Sequence, residues 1–403
     1  MRIVELAVDH HVLDLDPPFH ANWDPVPRTR FPATVVRVVA DDGRVGIGGG
    51  DTLAGIEPHA PLLLGTDPRA IERQVRVLET IDLHGPRPWP IEAALWDLLG
   101  HVTGQPVARL LGGATDRLAA YASTGAAKSR EQHAEVARHV RDRGFRAIKL
   151  RVDATDRPGA VAEVAAVRDA VGDALEIMVD LNQAWRMPGD TRDAIDLAEA
   201  RRFADAFAEL DVHWLEEPLL ARDLAGLAAL RRDARVRIAG GEMTRTVDEV
   251  YAALDADAFD VHQPDVVLAG GLWRGRTIGE LVLRRGRRYS PHTWTDGIGL
   301  AANLHVAAGV GGGPFLEFPY DPHGWTPDRR DFPLATPFDI DADGDLVVPD
   351  RPGLGFDLDE DALGRTHTGG WSVALGPDGT ARRTSRDPGQ LPARRADVTG
   401  GAS

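Results

Sequence analysis

The 403-residue chain contains no cysteine. That absence excludes a disulfide framework, thiolate catalysis, iron–sulfur clusters and Cys-bound zinc. It is compatible with the cytoplasm, which is the location we expect. Positive charge is in deficit as well: 46 Lys and Arg stand against 62 Asp and Glu, for a formal net charge of −16. This balance disfavours nucleic acid or an anionic membrane surface as a partner, although a local basic pocket can still hold a small acid. Long apolar runs are also missing. No stretch approaches the roughly 18 residues of a membrane span. The N-terminus, MRIVELAVDHHVLDLDPP, places acids and histidines where a signal peptide needs an unbroken apolar core. A soluble protein without membrane contact is expected.

What is present suits a folded enzyme-sized chain. Apolar residues make up 43% of it, enough for a substantial core, and charged residues an ordinary 27%. The length exceeds one small domain and fits one large barrel with a smaller companion. Residues 1–55 read as antiparallel strands, with Asp41-Asp42-Gly43 as a hairpin turn. The Pro-broken, aromatic and basic stretch FHANWDPVPRTRF (19–31) reads as a loop. AIERQVRVLETI and PIEAALWDLLGHVTGQPVARLLGG carry apolar residues at helical spacing, the second ending at Gly112-Gly113. Strands first and helices second predict a small α+β domain over residues 1–116.

From residue 117 short strands alternate with helices. LAAYAST, FRAIKLRV, EIMVDLN, HWLEEP, RIAGGE, FDVHQPD, RYSPHT and FLEFPY read as eight strands, with Ala/Arg/Asp/Leu-rich helical stretches between most of them. That alternation predicts a closed parallel barrel over 117–320, with its chemistry at the C-terminal ends of the strands. Residues 321–365 are loop-rich. From about 366 to 403 apolar periodicity is too sparse to specify a core, and weak order or peripheral docking is expected.

Asp180, Glu216 and Glu242 each stand where an apolar strand-like run stops. A lone acid there is ordinarily a turn former or helix cap. Three in series, brought together, make an all-oxygen site for a hard divalent cation. Two further strands end in Asp265 and His292. A decoy lies at Asp339, Asp341, Asp343 and Gly344, which match the opening of an EF-hand loop. Its closing position is Asp350 rather than Glu and no helical pattern flanks it, so it reads as an acidic β-turn.

The segments KLR (149–151), VDLNQ (179–183), WLEEP (214–218), GGE (240–242), QPD (263–265) with Gly270-Gly271, SPHT (290–293) and LEF (316–318) occur in one order. That order and those strand positions resemble the enolase superfamily, most closely its mandelate-racemase-type branch. ALWDLLGHVTGQPVARLLGG resembles the helix this family places before its barrel. The resemblance covers roughly residues 1–360. It implies an α/β fold, a modified (β/α)8-type TIM barrel (β7α7-like) with an N-terminal α+β capping domain, on which residues 321–365 pack back. It also implies a homo-oligomer.

By that resemblance Asp180, Glu216 and Glu242 ligate one Mg²⁺ per subunit, and the substrate is a small carboxylate. Asn182 and Glu217 lie beside the ligands, and Asn182 is counted among the substrate-binding residues. His292 with Asp265 resembles the family's His–Asp dyad, in which the Asp fixes the imidazole tautomer and leaves the other nitrogen to take a proton. Glu317 would bond the substrate carboxylate from the side opposite the metal, which requires a raised pKa. Relatives often carry Lys-x-Lys on the second strand. Here the pair is Lys149 and Arg151. Lys149 remains an electrophilic contact, but Arg151 keeps its proton and cannot act as a base.

One base suffices for elimination of a β-hydroxyl, whereas racemisation needs two. The expectation is therefore Mg²⁺-dependent dehydration of an aldonate or aldarate to a 2-keto-3-deoxy acid, by a carbon–oxygen lyase. The alternatives are a racemase, epimerase or lactone cycloisomerase working through the same enediolate, and a non-catalytic barrel scaffold. In the family this chain resembles, substrate choice is set by two capping-domain loops, which the resemblance implies at 19–31 and roughly 47–55. The first offers His20, Trp23, Arg28 and Arg30, which with Arg151 suit a hydroxylated acid.

Overall fold

The computed structural model describes residues 1–388. The chain opens with strands β1 (Ile3–Phe19), β2 (Arg28–Ala40) and β3 (Val45–Gly48) and helices α1 (Ile71–Leu83), α2 (Trp89–Thr103) and α3 (Val107–Leu110). The β2–β3 hairpin closes at the anticipated turn, where Gly43 has a φ of 87°. Glycines in β3 allow α2 to lie directly on the sheet. A Cβ on Gly46 would meet the Ala94 carbonyl at 2.0 Å, and one on Gly48 the Pro90 carbonyl at 2.0 Å. The long helix anticipated through Gly112-Gly113 is two helices. Gly104 takes a left-handed C-cap (φ 66°), and Pro106 cannot continue the ladder.

The barrel strands are β4 (Arg117–Ser123), β5 (Ala147–Arg151), β6 (Glu176–Asp180), β7 (Val212–Glu216), β8 (Arg237–Gly240), β9 (Val261–His262), β10 (Arg288–Tyr289) and β11 (Phe315–Pro319). All eight coincide with the runs picked out from the sequence. Between them lie helices α4 (Arg130–Arg143), α5 (Arg157–Val171), α6 (Leu197–Ala208), α7 (Leu224–Asp233), α8 (Val247–Asp255), α9 (Gly271–Arg284) and α10 (Gly297–Val310). Every strand pairs parallel with its predecessor from β5 to β10, and β11 pairs parallel with β4. The ring closes between β10 and β11, where Gly313 N–H donates to the Tyr289 carbonyl (2.9 Å) and Ser290 Oγ to the Phe315 carbonyl (2.7 Å). Eight strands and seven intervening helices make the modified TIM barrel that the resemblance implied.

Side-chain alternation turns this barrel into a platform. Tyr121, Ala147, Met178, Trp214, Ala239 and Val261, one from each of β4 to β9, form a single buried apolar cluster. Two residues further along each strand the side chain points the same way. Those positions are Ser123, Lys149, Asp180, Glu216, Gly241 and Gln263. The barrel therefore has an apolar floor and a polar upper layer at its C-terminal end.

After β11 the chain forms α11 (Pro327–Arg330), β12 (Asp345–Val347), α12 (Glu360–Thr366), β13 (His367–Leu375) and β14 (Ala381–Arg386). The acidic segment is a β-turn: Asp341 Oδ1 accepts from the backbone of Asp343 and Asp345, and Gly344 has positive φ. The expectation of weak order from 366 onward needs correction. Through residue 386 this segment is a strand pair that completes the cap sheet in the order β14-β13-β1-β2-β3; residues 389–403 lie outside the described residues. Sparse periodicity was a poor guide because the pairing partner, β1, is at the other end of the chain. The loop expected at 19–31 is also shorter, since β1 runs to Phe19 and β2 begins at Arg28. No helix among the described residues is long and apolar enough to cross a membrane.

One ion cluster anchors the C-terminal strands. Fully buried Asp9 on β1 accepts from Arg37 (2.9 Å) and from Arg386 on β14 (2.9 Å). Removing Asp9 leaves two largely buried guanidinium groups with only their longer contacts, Arg37 to Glu360 (3.7 Å) and Arg386 to Glu5 (3.5 Å). Asp9→Ala is expected to lower the unfolding free energy by about 3 kcal/mol or more in urea denaturation; an unchanged midpoint would contradict this anchoring role.

Candidate active site

The upper layer of the barrel brings the strand-end acids together. Asp180 ends β6, Glu216 ends β7 and Glu242 follows β8, and each offers an oxygen within 4.8 Å of the others. The parallel register explains the meeting, because Arg151 pairs with Asp180 and Asp180 with Glu216 across neighbouring strands. All three carboxylates are buried. Glu216 Oε2 accepts from the Trp214 indole (2.9 Å) and from Gln263 Nε2 (2.8 Å), and Glu242 Oε1 from the Trp185 indole (2.8 Å).

Lys149 is the central counter-charge. Its Nζ donates to Glu216 Oε1, lies 2.8 Å from Glu317 Oε1 and 3.8 Å from Asp180 Oδ2. Burial disfavours its charge, but Glu216 and Glu317 outweigh that and hold its pKa above the ordinary lysine value. Arg151 stands one step higher. Nη1 donates to Ser123 Oγ (3.2 Å) and to the Thr124 carbonyl, and Nε lies 3.5 Å from Asp180 Oδ2. Its guanidinium also stacks over Trp23 at 4.3 Å and Trp294 at 5.0 Å. Such a multiply held guanidinium is a fixed charge.

Across the pocket His292 Nδ1 is 3.0 Å from Asp265 Oδ2. Asp265 Oδ1 accepts from Asn303 Nδ2 (2.7 Å) and Val267 N–H (3.0 Å), which fixes the carboxylate plane. His292 Nε2 is left facing Glu242 Oε2 at 3.8 Å. Burial opposes an imidazolium, yet Glu242, Glu317 and Asp265 together bring His292 up to about 9. Glu317 accepts from Ser123 Oγ (2.7 Å), Thr293 N–H (2.7 Å) and Lys149. The expectation that Glu317 is protonated needs correction. Burial pushes its pKa up, but Lys149, His292 and Arg151 bring it down to about 2. Glu317 is therefore an ionised acceptor.

The remaining predicted residues divide. Asn182 sits beside the cluster and donates to both Asp180 oxygens through its backbone N–H (2.8 Å) and Nδ2 (3.0 Å). Trp23 stacks on Arg151, and its loop is docked on the β4 end through Asn22 N–H to the Gly125 carbonyl (2.8 Å). His20 is an exposed side chain whose carbonyl accepts from Ala127 N–H. Arg28 is bound to Asp24 (3.1 Å) and lies over the Trp23 ring, so it braces the loop. Arg30 does not join the site. It is three-quarters exposed on β2 and pairs with Asp14 at 3.4 Å, because alternation along a strand turns it to solvent. Sequence reasoning missed Ser123, Trp185, Gln263, Trp294 and Asn303. Trp185 and Trp294 were legible as aromatics just beyond VDLNQ and SPHT, whereas Asn303 lies mid-helix with no local signal.

The donor set fits a hard divalent cation. Glu242 Oε2, Asn182 Oδ1 and both oxygens of Glu217 are buried without a hydrogen-bond partner. Burial, then Glu216, pushes Asp180 upward; burial, then Glu242 and Asp180, does the same for Glu217. These are carboxylates short of positive charge, and oxygen ligands without thiolate or imidazole suit Mg²⁺. Glu217 (φ 47°) and Asn182 (φ 46°) also hold left-handed backbone conformations directly after ligand-bearing strands, a strain typical of functional sites.

Comparison with known proteins agrees with this geometry. Residues 132–362 match the family model "Enolase C-terminal domain-like", and residues 3–112 match "Mandelate racemase / muconate lactonizing enzyme, N-terminal domain". D-galactarolactone cycloisomerase of Agrobacterium fabrum is 30% identical over 385 residues, covering 89% of this chain and 97% of that protein. L-talarate/galactarate dehydratase of Salmonella typhimurium is 30% identical over 357 residues, 83% of each chain. A crystal structure of an L-talarate/galactarate dehydratase variant liganded with Mg and L-glucarate superposes with a TM-score of 0.80 at 27% identity, covering 93% and 94% of the two chains. The chain belongs to the enolase superfamily, with the N-terminal domain of its mandelate racemase/muconate lactonizing enzyme group.

Proposed function

We propose that this protein is a Mg²⁺-dependent dehydratase that removes water from an aldonate or aldarate to give a 2-keto-3-deoxy acid. The observation that carries this reading is the asymmetry of the pocket. One face holds an imidazole backed by a carboxylate, and the other holds Arg151, which has no proton to give up at neutral pH. Relatives that dehydrate sugar acids support it.

Asp180, Glu216 and Glu242 would hold the metal, which supplies Lewis-acid stabilisation of charge on a substrate carboxylate. Asp265 keeps the Nδ1–H tautomer of His292, and a cation held by Glu242 would offset the main carboxylate that raises this imidazole, so that Nε2 is the nitrogen that would take the α-proton. The C–H electron pair becomes the double bond between the α-carbon and the carboxylate carbon, and the C=O π pair moves onto oxygen to give an enediolate, with Lys149 as a fixed cationic neighbour. Collapse of the enediolate expels the β-hydroxyl, and the His292 imidazolium returns its proton to that leaving group. Water and an enol remain, and the enol tautomerises to the 2-keto acid. Arg151, packed against both Trp23 and Trp294, orients the hydroxylated chain.

A lactone cycloisomerase is the second reading, favoured by the cycloisomerase relative, which this chain matches over nearly its full length. Semicarbazide separates the two, since a dehydratase product is trapped as a 2-keto acid and an isomerase product is not. A panel of aldonic and aldaric acids with Mg²⁺ that is consumed without semicarbazide-reactive product would overturn the dehydratase assignment.

Three variants test the roles. His292→Asn is expected to slow α-proton exchange in D₂O by about 10²–10⁴-fold, the usual worth of a general base; near-wild-type exchange would remove His292 from that role. Glu216→Gln should weaken Mg²⁺ binding in calorimetry by more than the roughly 10–100-fold lost when only an outer hydrogen-bond partner is removed. Arg151→Lys keeps the charge but loses the planar stack, and turnover should fall about tenfold or more while Mg²⁺ affinity stays within a few-fold. Full turnover in that variant would show that a point charge suffices there.

A further inference from the structure

The helix that follows the dyad aspartate begins without a side-chain cap of its own. The N-cap position of α9 is Gly270, which has no side chain to accept from the first turn. Free N–H groups at a helix start need acceptors. The acceptor comes from the other domain. Glu92 on α2 is fully buried, and its Oε1 accepts from Trp273 N–H at 2.9 Å and from the Trp96 indole at 3.0 Å. The approach depends on glycine, because a Cβ on Gly271 (φ 72°) would lie 1.4 Å from Glu92 Oε2.

The same helix start is tied to Asp265. Leu268 N–H (3.0 Å) and Ala269 N–H (2.8 Å) both donate to the Asp265 carbonyl, and Val267 N–H donates to its carboxylate (3.0 Å). Residues 265–270 are thus one tight turn running from the dyad acid to the point that Glu92 grips.

We propose that Glu92 is a positioning residue for the His292–Asp265 pair, capping α9 across the domain boundary and so setting the turn that aims Asp265 at His292. The proposal rests on the acid–base role given to that pair above. What matters is an acceptor oxygen at the right reach rather than a charge. Burial drives the Glu92 carboxyl up to about 7 despite the bonds from Trp273 and Trp96, so the site already tolerates a neutral group. A Gln side chain keeps the oxygen in place, and an Asp or Ala side chain withdraws it.

The test uses the full-length Mg²⁺-loaded protein and the variants Glu92→Gln, Glu92→Asp and Glu92→Ala. Two quantities are read: α-proton exchange kinetics with a turned-over sugar acid, and the downfield Nδ1–H proton resonance of His292, identified by its loss in His292→Asn. Glu92→Gln should keep exchange within about threefold, whereas Asp and Ala should lose about tenfold or more in kcat with KM little changed. In those two variants the His292 resonance should also shift or broaden. Should Glu92→Ala fail to fold by circular dichroism, the Asp and Gln variants decide. Wild-type exchange and an unshifted resonance in Glu92→Asp would reduce Glu92 to packing and overturn the proposal. Absence of exchange in the wild type would sink the acid–base reading alone, because the resonance still reports whether Glu92 sets the dyad.

Discussion

The structure depends on buried negative charge being gathered at one end of a barrel and only partly neutralised. Asp180, Glu216, Glu217, Glu242 and Glu317 are all withdrawn from solvent, and the permanently charged cations among them are Lys149 and Arg151. Burial of unpaired carboxylates is costly, so the arrangement makes physical sense with a divalent cation among them. The rest of the fold serves that concentration. An apolar floor lies below it, aromatic N–H groups of Trp185 and Trp214 orient the acids, and the cap closes over the top.

Lysine usage underlines the point. The chain has two lysines among its 46 basic residues, Lys128 and Lys149. Lys149 is buried and Lys128 half-buried, and each donates to buried carboxylates: Lys128 to Asp321, Lys149 to Glu216 and Glu317. Elsewhere the chain uses arginine, so an arginine at position 151 follows its general habit and the lysine at 149 is the exception. A compact ammonium suits three converging carboxylates, whereas a planar guanidinium suits packing against a pair of indoles. The difference between the two pocket faces follows from this choice.

The capping domain is more than a lid. Glu92, Glu72 and Glu79 of α1 and α2 converge on the first turn of α9: Trp273 Nε1 donates to Glu72, and Arg274 is held by Glu72 and Glu79. Acids at a helix N-terminus are favourable by charge as well as by hydrogen bonding. The cap therefore grips the barrel next to the dyad, while the Trp23 loop reaches the opposite side of the pocket through Arg151. The C-terminal strands close this domain by returning to β1 through the Asp9 cluster.

Much of the barrel and of the metal site was legible in the residues themselves. Strands of a parallel barrel are buried on both faces and read as short apolar runs, and acids released at the ends of such runs have to meet at its rim. By itself the sequence therefore determined the eight strands and the Asp180–Glu216–Glu242 set, while the pairing of His292 with Asp265 was legible through the family resemblance. Tertiary structure alone decided the rest. The ionisation of Glu317 depends on the cations that converge on it, the exclusion of Arg30 on the direction a strand turns its side chains, and the order of β13 and β14 on a partner more than 350 residues away. Asn303 and Glu92 gave no local sign because their meaning is a contact across the fold. Local pattern is carried by burial and period, which neighbours along the chain share, whereas charge state and aim are set by groups that only folding brings within a few ångströms.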